Sequence, residues 1–316
     1  MRPARVGIVG ATGAVGTVTL GLLAERGFDD VQAFASARSA GKTVAFGDRQ
    51  LTVEEATPLS LAAAELDLCF FSVGTHASTE LVPPTADAGT ICIDKSDAFR
   101  LTDGIPLVVA GVNDEALDGG RIVANPNCSA IQLSCVLKPL SDAVGLARVR
   151  LATYQSMSGA GDAGIERLRN VQPMQADLAM DWDLEGEEFD EESKLRDETR
   201  KILGLSGLPL QATCIRVPVL VGHGQAIWVE TEDRLTPDHA CEVLGAAPHI
   251  ALADFPTPGD AAGRDVVLVG RIRRDPTEPN GLALWAVNDN LRKGAALNAV
   301  QIAEALLKHP IASSAV

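Results

Sequence analysis

The opening of the chain, Val6-Gly-Ile-Val-Gly10-Ala-Thr-Gly13-Ala-Val-Gly16, runs a short apolar strand pattern through spaced glycines and into a helical pattern. Few folds accept that order. Gly10 permits a tight turn, Gly13 lets a pyrophosphate approach the backbone, and Gly16 lets a helix pack close to the strand. The feature predicts a dinucleotide site. The remainder of the first 127 residues repeats the theme, with strand patterns at Arg5 to Val9, Val31 to Ala35, Leu66 to Val73 and Thr90 to Ile93. Helical patterns lie between them at Val15 to Glu25 and Ser78 to Ala88. Such alternation predicts a doubly wound parallel sheet with its ligand at the carboxyl ends of the strands.

Beyond residue 127 the texture changes. A helix from Cys128 to about Leu137 is expected to stop at Pro139. Long strand patterns follow at Ala147 to Met157, Ala212 to Leu220, Gln225 to Thr231, Asp265 to Ile272 and Leu282 to Val287. They predict a second domain with a mixed or antiparallel sheet. Lys293 to Lys308 reads as an amphipathic helix that returns to the first domain. The expected fold is α/β, a Rossmann-type doubly wound sheet in residues 1–127 with 293–316, into which a second, α+β domain with a mixed sheet is inserted at 128–292.

A net charge of −15 argues against nucleic acid or an anionic membrane as partner. Nine carboxylates and no Lys or Arg lie between Asp177 and Glu192. The six cysteines lack metal-ligand spacing, and a chain of 316 residues does not need disulfide staples. No metal is expected, and five of the cysteines read as reduced core thiols. With no apolar run long enough for a signal peptide or a bilayer span, the expected location is cytoplasmic.

Two positions set the chemistry. NAD sites place a carboxylate about twenty residues past the glycine loop, on the ribose hydroxyls. Here that place holds Ala35-Ser36-Ala37-Arg38-Ser39, and the Arg38 fork suits a 2′-phosphate, so NADP is expected. Cys128 follows an apolar strand and a proline turn, Ile122-Val-Ala-Asn125-Pro126-Asn127, and begins a helix. A thiol there sits where free backbone N–H groups favour thiolate.

Together with Gln155 in Tyr-Gln-Ser-Met-Ser-Gly, Arg216-Val-Pro-Val-Leu-Val-Gly-His223 and Asp289-Asn-Leu-Arg-Lys-Gly-Ala-Ala296, these motifs resemble the aspartate-β-semialdehyde dehydrogenase family over nearly the whole chain. The resemblance implies reversible, NADP-dependent reductive dephosphorylation of β-aspartyl phosphate to aspartate semialdehyde, a step toward lysine, threonine and methionine. It implies Cys128 as nucleophile through a thioacyl enzyme, His223 as acid–base residue and Gln155 as the residue orienting the intermediate. Arg216 matches the carboxylate clamp and Glu191 the group facing the substrate amine. Arg100 and Lys194 match the phosphate site, and Asn127 joins the substrate set. Cofactor contacts carry over to Gly10, Thr12, Gly13, Ala14, Val15, Gly16, Ser36, Arg38, Ser39, Ser72, Gly74, Ser158, Gly159 and Asn290. Inorganic phosphate and a second copy of the chain, as homodimer, are the implied partners.

Three departures stand out. Ser72-Val-Gly74-Thr75-His76 replaces a Gly-Gly-Ser type loop. Asp94-Lys95-Ser96-Asp97 and Ala110-Gly111 replace Asp-Asn and Pro-Glu segments. Between Gly161 and Glu191 the chain is shortened, with Met174-Gln-Ala-Asp-Leu-Ala-Met-Asp-Trp182 and the acidic run in place of an apolar pocket wall. A paralogue acting on a related acyl phosphate, or a silent binding protein on the same fold, are the alternatives. N-acetylglutamyl-phosphate reductase fits the Asn-Pro-Asn-Cys motif less well.

Overall fold

The computed structural model describes residues 3–117, 119–170 and 182–308. The chain divides into two compact units, Met1–Pro126 with Ala295–Val316, and Asn127–Gly294.

Seven strands make the sheet of the first unit: β1 (Val6–Val9), β2 (Val31–Ala35), β3 (Thr43–Phe46), β4 (Arg49–Glu55), β5 (Leu68–Phe71), β6 (Ile91–Asp94) and β7 (Ile122–Ala124). Their order is β3-β4-β2-β1-β5-β6-β7, parallel throughout except for the β3–β4 hairpin. β1 is buried at every residue, as a central parallel strand covered on both faces must be. Helices α1 (Ala14–Glu25), α2 (Pro58–Ala63) and α3 (Thr75–Asp87) connect the strands, and the carboxyl-terminal helix Leu297–Lys308 packs against α1. The strand order switches from one side of β1 to the other after β4, so the crevice between the ends of β1 and β5 is the expected ligand position. Lys95, one of the departures, turns inward. Its ammonium donates to Thr19 Oγ1 at 2.8 Å and lies over the Phe70 ring, and burial lowers its pKa to about 7.

The second unit holds α4 (Cys128–Val144), α5 (Gly161–Asn170), α6 (Asp190–Leu203), α7 (Pro237–Ala246) and α8 (Pro258–Ala261). A two-stranded hairpin, β9 (Leu184–Glu185) with β10 (Glu188–Phe189), precedes α6. The mixed sheet has β8 (Leu146–Ser156), β11 (Leu210–Val217), β12 (His223–Thr231), β13 (Ile250–Leu252), β14 (Val267–Arg274) and β15 (Gly281–Asn288), in the order β11-β8-β12-β15-β14-β13. β11 runs parallel to β8, whereas β12 is antiparallel to both β8 and β15. The alternation of buried and open residues along β8 and β12 leaves Tyr154 and Trp228 exposed.

Pro139 does not stop the helix, which continues to Val144. Proline in a helix interior costs about 3 kcal/mol. Five apolar residues of α4 (Ile131, Leu133, Val136, Leu137 and Leu140) are fully buried, each worth about 1.5–3 kcal/mol, so packing outweighs the missing hydrogen bond. The departure from Met174 to Asp181 lies outside the described residues.

Candidate active site

Cys128 is the first residue of α4, and Asn127 caps that helix, its Oδ1 accepting from the backbone N–H of Ser129 at 2.8 Å and of Ala130 at 3.3 Å. The cap satisfies two of the four orphan donors and leaves the sulfur at the positive end of the helix. The His223 ring, at the start of β12, places Nε2 3.1 Å from Cys128 Sγ. Its Nδ1 accepts from the backbone N–H of Ser156 at 3.0 Å, with the Ser156 hydroxyl 3.1 Å away. A backbone N–H can only donate, so Nδ1 is bare and the ring proton sits on Nε2, facing the sulfur. Burial, then the charge of Arg216, pushes the His223 pKa down to about 3, so the ring is neutral across the physiological range. Asn290 holds this corner. Its Oδ1 accepts from Gly222 N and from Ser156 Oγ, both at 2.9 Å, and its Nδ2 donates to Ser158 Oγ.

Arg216 stands opposite Gln155 in the β8–β11 register. Its Nη1 donates to Ser156 O at 3.0 Å and to Gln155 Oε1 at 3.4 Å, and the residue is only 2% exposed. Gln155 Nε2 donates in turn to Glu191 Oε1 at 2.9 Å. Both Glu191 oxygens also accept from Asn127 Nδ2 at 3.0 Å. Burial raises the Glu191 pKa, against the lowering effect of those hydrogen bonds and of Arg216. A Cβ on Gly159 would fall 2.7 Å from Arg216 Nη1 and 3.1 Å from the His223 ring, so only glycine leaves room between the cation and the imidazole. Cys128, Asn127, Gln155, Glu191, Arg216 and His223 thus form one connected cluster. Lys194 pairs with Asp190 at 2.7 Å. Arg100 lies in the first unit, donating to the carbonyls of Asn125 and Lys95.

Burial raises the thiols of Cys69, Cys92, Cys135 and Cys214, whereas Cys128 is half-buried. Among the described residues no group of three or more His, Cys, Asp or Glu is placed to hold a metal ion, and no helix is long and apolar enough to cross a membrane.

In the first unit the glycine loop fits a pyrophosphate. Gly10 has a φ of +85°, and a Cβ there would meet the Ser72 carbonyl at 2.2 Å, while one on Gly16 would meet the Gly10 carbonyl at 2.1 Å. Gly13 differs, because the protein offers nothing nearer than 3.5 Å to its added Cβ. That space is open to a ligand. Residues Ala14 and Val15 open α1, whose N-cap Gly13 gives no side-chain cap; α3 likewise begins uncapped at Gly74. Between these helix starts the buried hydroxyl of Ser72 has no partner among the described residues. Ser36 and Arg38 are exposed after β2, and Thr12 Oγ1 reaches Ser39 Oγ at 3.5 Å.

Three further residues escaped the sequence reading. Ser156 sets the imidazole tautomer, the Trp182 ring lies against the Arg216 guanidinium carbon, and Glu198 Oε2 accepts from the Asn127 backbone N–H at 2.6 Å while only 1% exposed. The seven-residue spacing from Glu191 puts Glu198 on the same face of α6, which is the signal that could have found it. Glu198→Ala strands a buried N–H beside the nucleophile and is expected to cost about 1–3 kcal/mol of stability by urea unfolding. Glu198→Gln keeps an acceptor and should cost less.

Both units match models of one class, the semialdehyde dehydrogenases. Residues 5–119 match "Semialdehyde dehydrogenase, NAD binding domain", and residues 137–293 match "Semialdehyde dehydrogenase, dimerisation domain". A relative from Corynebacterium glutamicum named aspartate-semialdehyde dehydrogenase is 42% identical, over 96% of this chain and 99% of its own. The structure of aspartate semialdehyde dehydrogenase II from Vibrio cholerae, also solved as a complex with ASA, has a TM-score of 0.91 at 39% identity, covering 98% of this chain and 100% of that one. The Candida albicans enzyme with NADP has a TM-score of 0.81 at 27% identity, covering 98% and 100%. The chain belongs to the aspartate-semialdehyde dehydrogenase family.

Proposed function

We propose that the protein interconverts β-aspartyl phosphate and aspartate semialdehyde with NADP(H), through a thioacyl group on Cys128. The observation that carries this reading is the Cys128–His223 pair, a sulfur at a helix start 3.1 Å from an imidazole nitrogen whose proton faces it.

In the reductive direction the thiolate attacks the acyl carbon. A C–S bond forms, the C–O bond to phosphate breaks, and phosphate leaves with that electron pair. Thiolate suits the task because it is a good nucleophile and also a good leaving group. When bound, the nicotinamide cofactor supplies a hydride to the thioacyl carbon. The hemithioacetal oxyanion then collapses, releasing the aldehyde and restoring the thiolate. In both additions the acyl oxygen gains charge, and the neutral His223 ring supports a hydrogen bond to it from Nε2–H. The proton consumed overall ends on phosphate, so His223 keeps its own. This refines the acid–base role that the family resemblance implies into that of a fixed donor. Arg216 is assigned the substrate carboxylate, Glu191 the amine, Gln155 and Asn127 the orientation of the acyl group, and Lys194 and Arg100 the phosphate.

The open helix N-termini at Gly13 and Gly74, with the unpartnered Ser72 hydroxyl, support pyrophosphate binding in the first unit. Arg38 and the absence of a carboxylate after β2 favour NADP over NAD. Arg38→Ala is expected to weaken NADPH binding at least tenfold more than NADH binding, measured by fluorescence titration. Equal losses would remove the 2′-phosphate assignment. The solvent-facing Tyr154 and Trp228 of the mixed sheet, in the stretch matching the dimerisation model, support a homodimer.

The test is direct. Aspartate semialdehyde, phosphate and NADP should give phosphate-dependent formation of NADPH. No turnover, or turnover independent of phosphate, sinks the proposal.

A further inference from the structure

The segment leading into α6 carries nine carboxylates and no Lys or Arg between Asp177 and Glu192, and its last described piece reaches the site. The central carbon of the Arg216 guanidinium lies over the Trp182 ring, 4.6 Å from its centroid, and the indole leans on Phe189 with ring centroids 6.1 Å apart. This position is built rather than incidental. Asp183 O accepts from Asp190 N at 2.9 Å, and Asp190 Oδ1 accepts from Asp183 N at 3.2 Å, closing the β9–β10 hairpin beside Trp182. Glu192 then ties the hairpin to the strand that carries Arg216, its two carboxylate oxygens accepting from Phe189 N at 2.9 Å and Cys214 N at 2.8 Å.

We propose that Trp182 is a specificity-determining residue for the carboxylate end of the substrate, an inference that rests on the function proposed above. A guanidinium takes a carboxylate in its plane, through its N–H edge. An aromatic ring against the guanidinium carbon removes water from one side of the cation and restricts its motion. Arg216 is further held by Ser156 O and Gln155 Oε1, so the indole completes a preorganised clamp. Its role is in substrate binding.

The experiment compares wild type, Trp182→Leu and Trp182→Phe, using aspartate semialdehyde as substrate and inactivation by iodoacetamide, which carries no carboxylate, as a report on Cys128. For Trp182→Leu, KM for aspartate semialdehyde should rise about tenfold, with kcat within about twofold and the iodoacetamide rate unchanged. Trp182→Phe keeps a ring on the guanidinium and should recover most of the loss. An unchanged KM in Trp182→Leu overturns the inference, as does a phenylalanine variant no better than leucine. So does a parallel fall in kcat and in the iodoacetamide rate, which marks general damage. Absence of turnover in the wild type instead overturns the underlying function.

Discussion

Cys128→Ser is expected to lower phosphate-dependent NADP reduction by on the order of 10⁴-fold or more, while leaving cofactor affinity intact. The size follows from the imidazole tautomer. A cysteine near neutral pH ionises without a dedicated base, whereas a serine hydroxyl needs one within hydrogen-bond reach. His223 cannot serve, because its bare nitrogen is occupied by the Ser156 N–H and its other nitrogen presents a proton. The variant therefore keeps the shape of the site and loses the nucleophile. NADPH titration of the same protein is the control, since every residue of the glycine loop lies in the first unit. Iodoacetamide should abolish wild-type activity by modifying Cys128, because burial raises the thiols of Cys69, Cys92, Cys135 and Cys214 and protects them. A Cys241→Ser variant, which should be inactivated at the wild-type rate, accounts for the other half-buried thiol. A serine variant retaining a tenth of the activity would remove Cys128 from the covalent step.

What could be read from the sequence was the part fixed by local chemistry. The strand, glycine loop and helix of Val6 to Glu25 depend on neighbouring residues, and so does the thiol at the start of α4. Pro139 misled because its local cost is real but smaller than the burial of α4, a quantity set by distant strands. Residues that meet only through the sheet or a helix face carried weaker signals. Gln155 and Arg216 are 61 positions apart and face each other only because β11 pairs with β8 in one register, while Ser156 reaches the His223 ring across a separation of 67. Without the family motifs neither would stand out from an ordinary polar strand residue. The β3–β4 hairpin and α2 were also missed, although Thr57-Pro58-Leu59-Ser60 carries a proline at the helix start and forms a reciprocal cap.

His223→Asn is expected to reduce kcat by about 10²–10³-fold, the loss that follows removal of one preorganised donor to a developing oxyanion. The asparagine can still accept from the Ser156 N–H, so the corner formed with Asn290 should survive. Its pH behaviour distinguishes a fixed donor from a titrating acid–base group. With a folded-state pKa of about 3, wild-type His223 does not ionise between pH 5 and 9, and kcat/KM should show no limb near 6.5 belonging to this residue. A limb near 6.5 in the wild type that vanishes in the variant would restore the acid–base role. Stability gives a second, independent reading. Unfolding returns the imidazole to its ordinary pKa near 6.5, so between that pH and about 3 the unfolded chain binds one proton more than the folded chain. Stability is therefore complete above about pH 6.5 and declines on acidification by about 1.4 kcal/mol per pH unit from this group. Asparagine removes that proton uptake while leaving Glu191, Asp94 and the other carboxylates in place. The difference in urea midpoint between variant and wild type should shift progressively toward the variant as pH falls from 6.5 to 4.5. A pH-independent difference would mean that the ring is not buried in its neutral form, and the fixed-donor mechanism would fall with it.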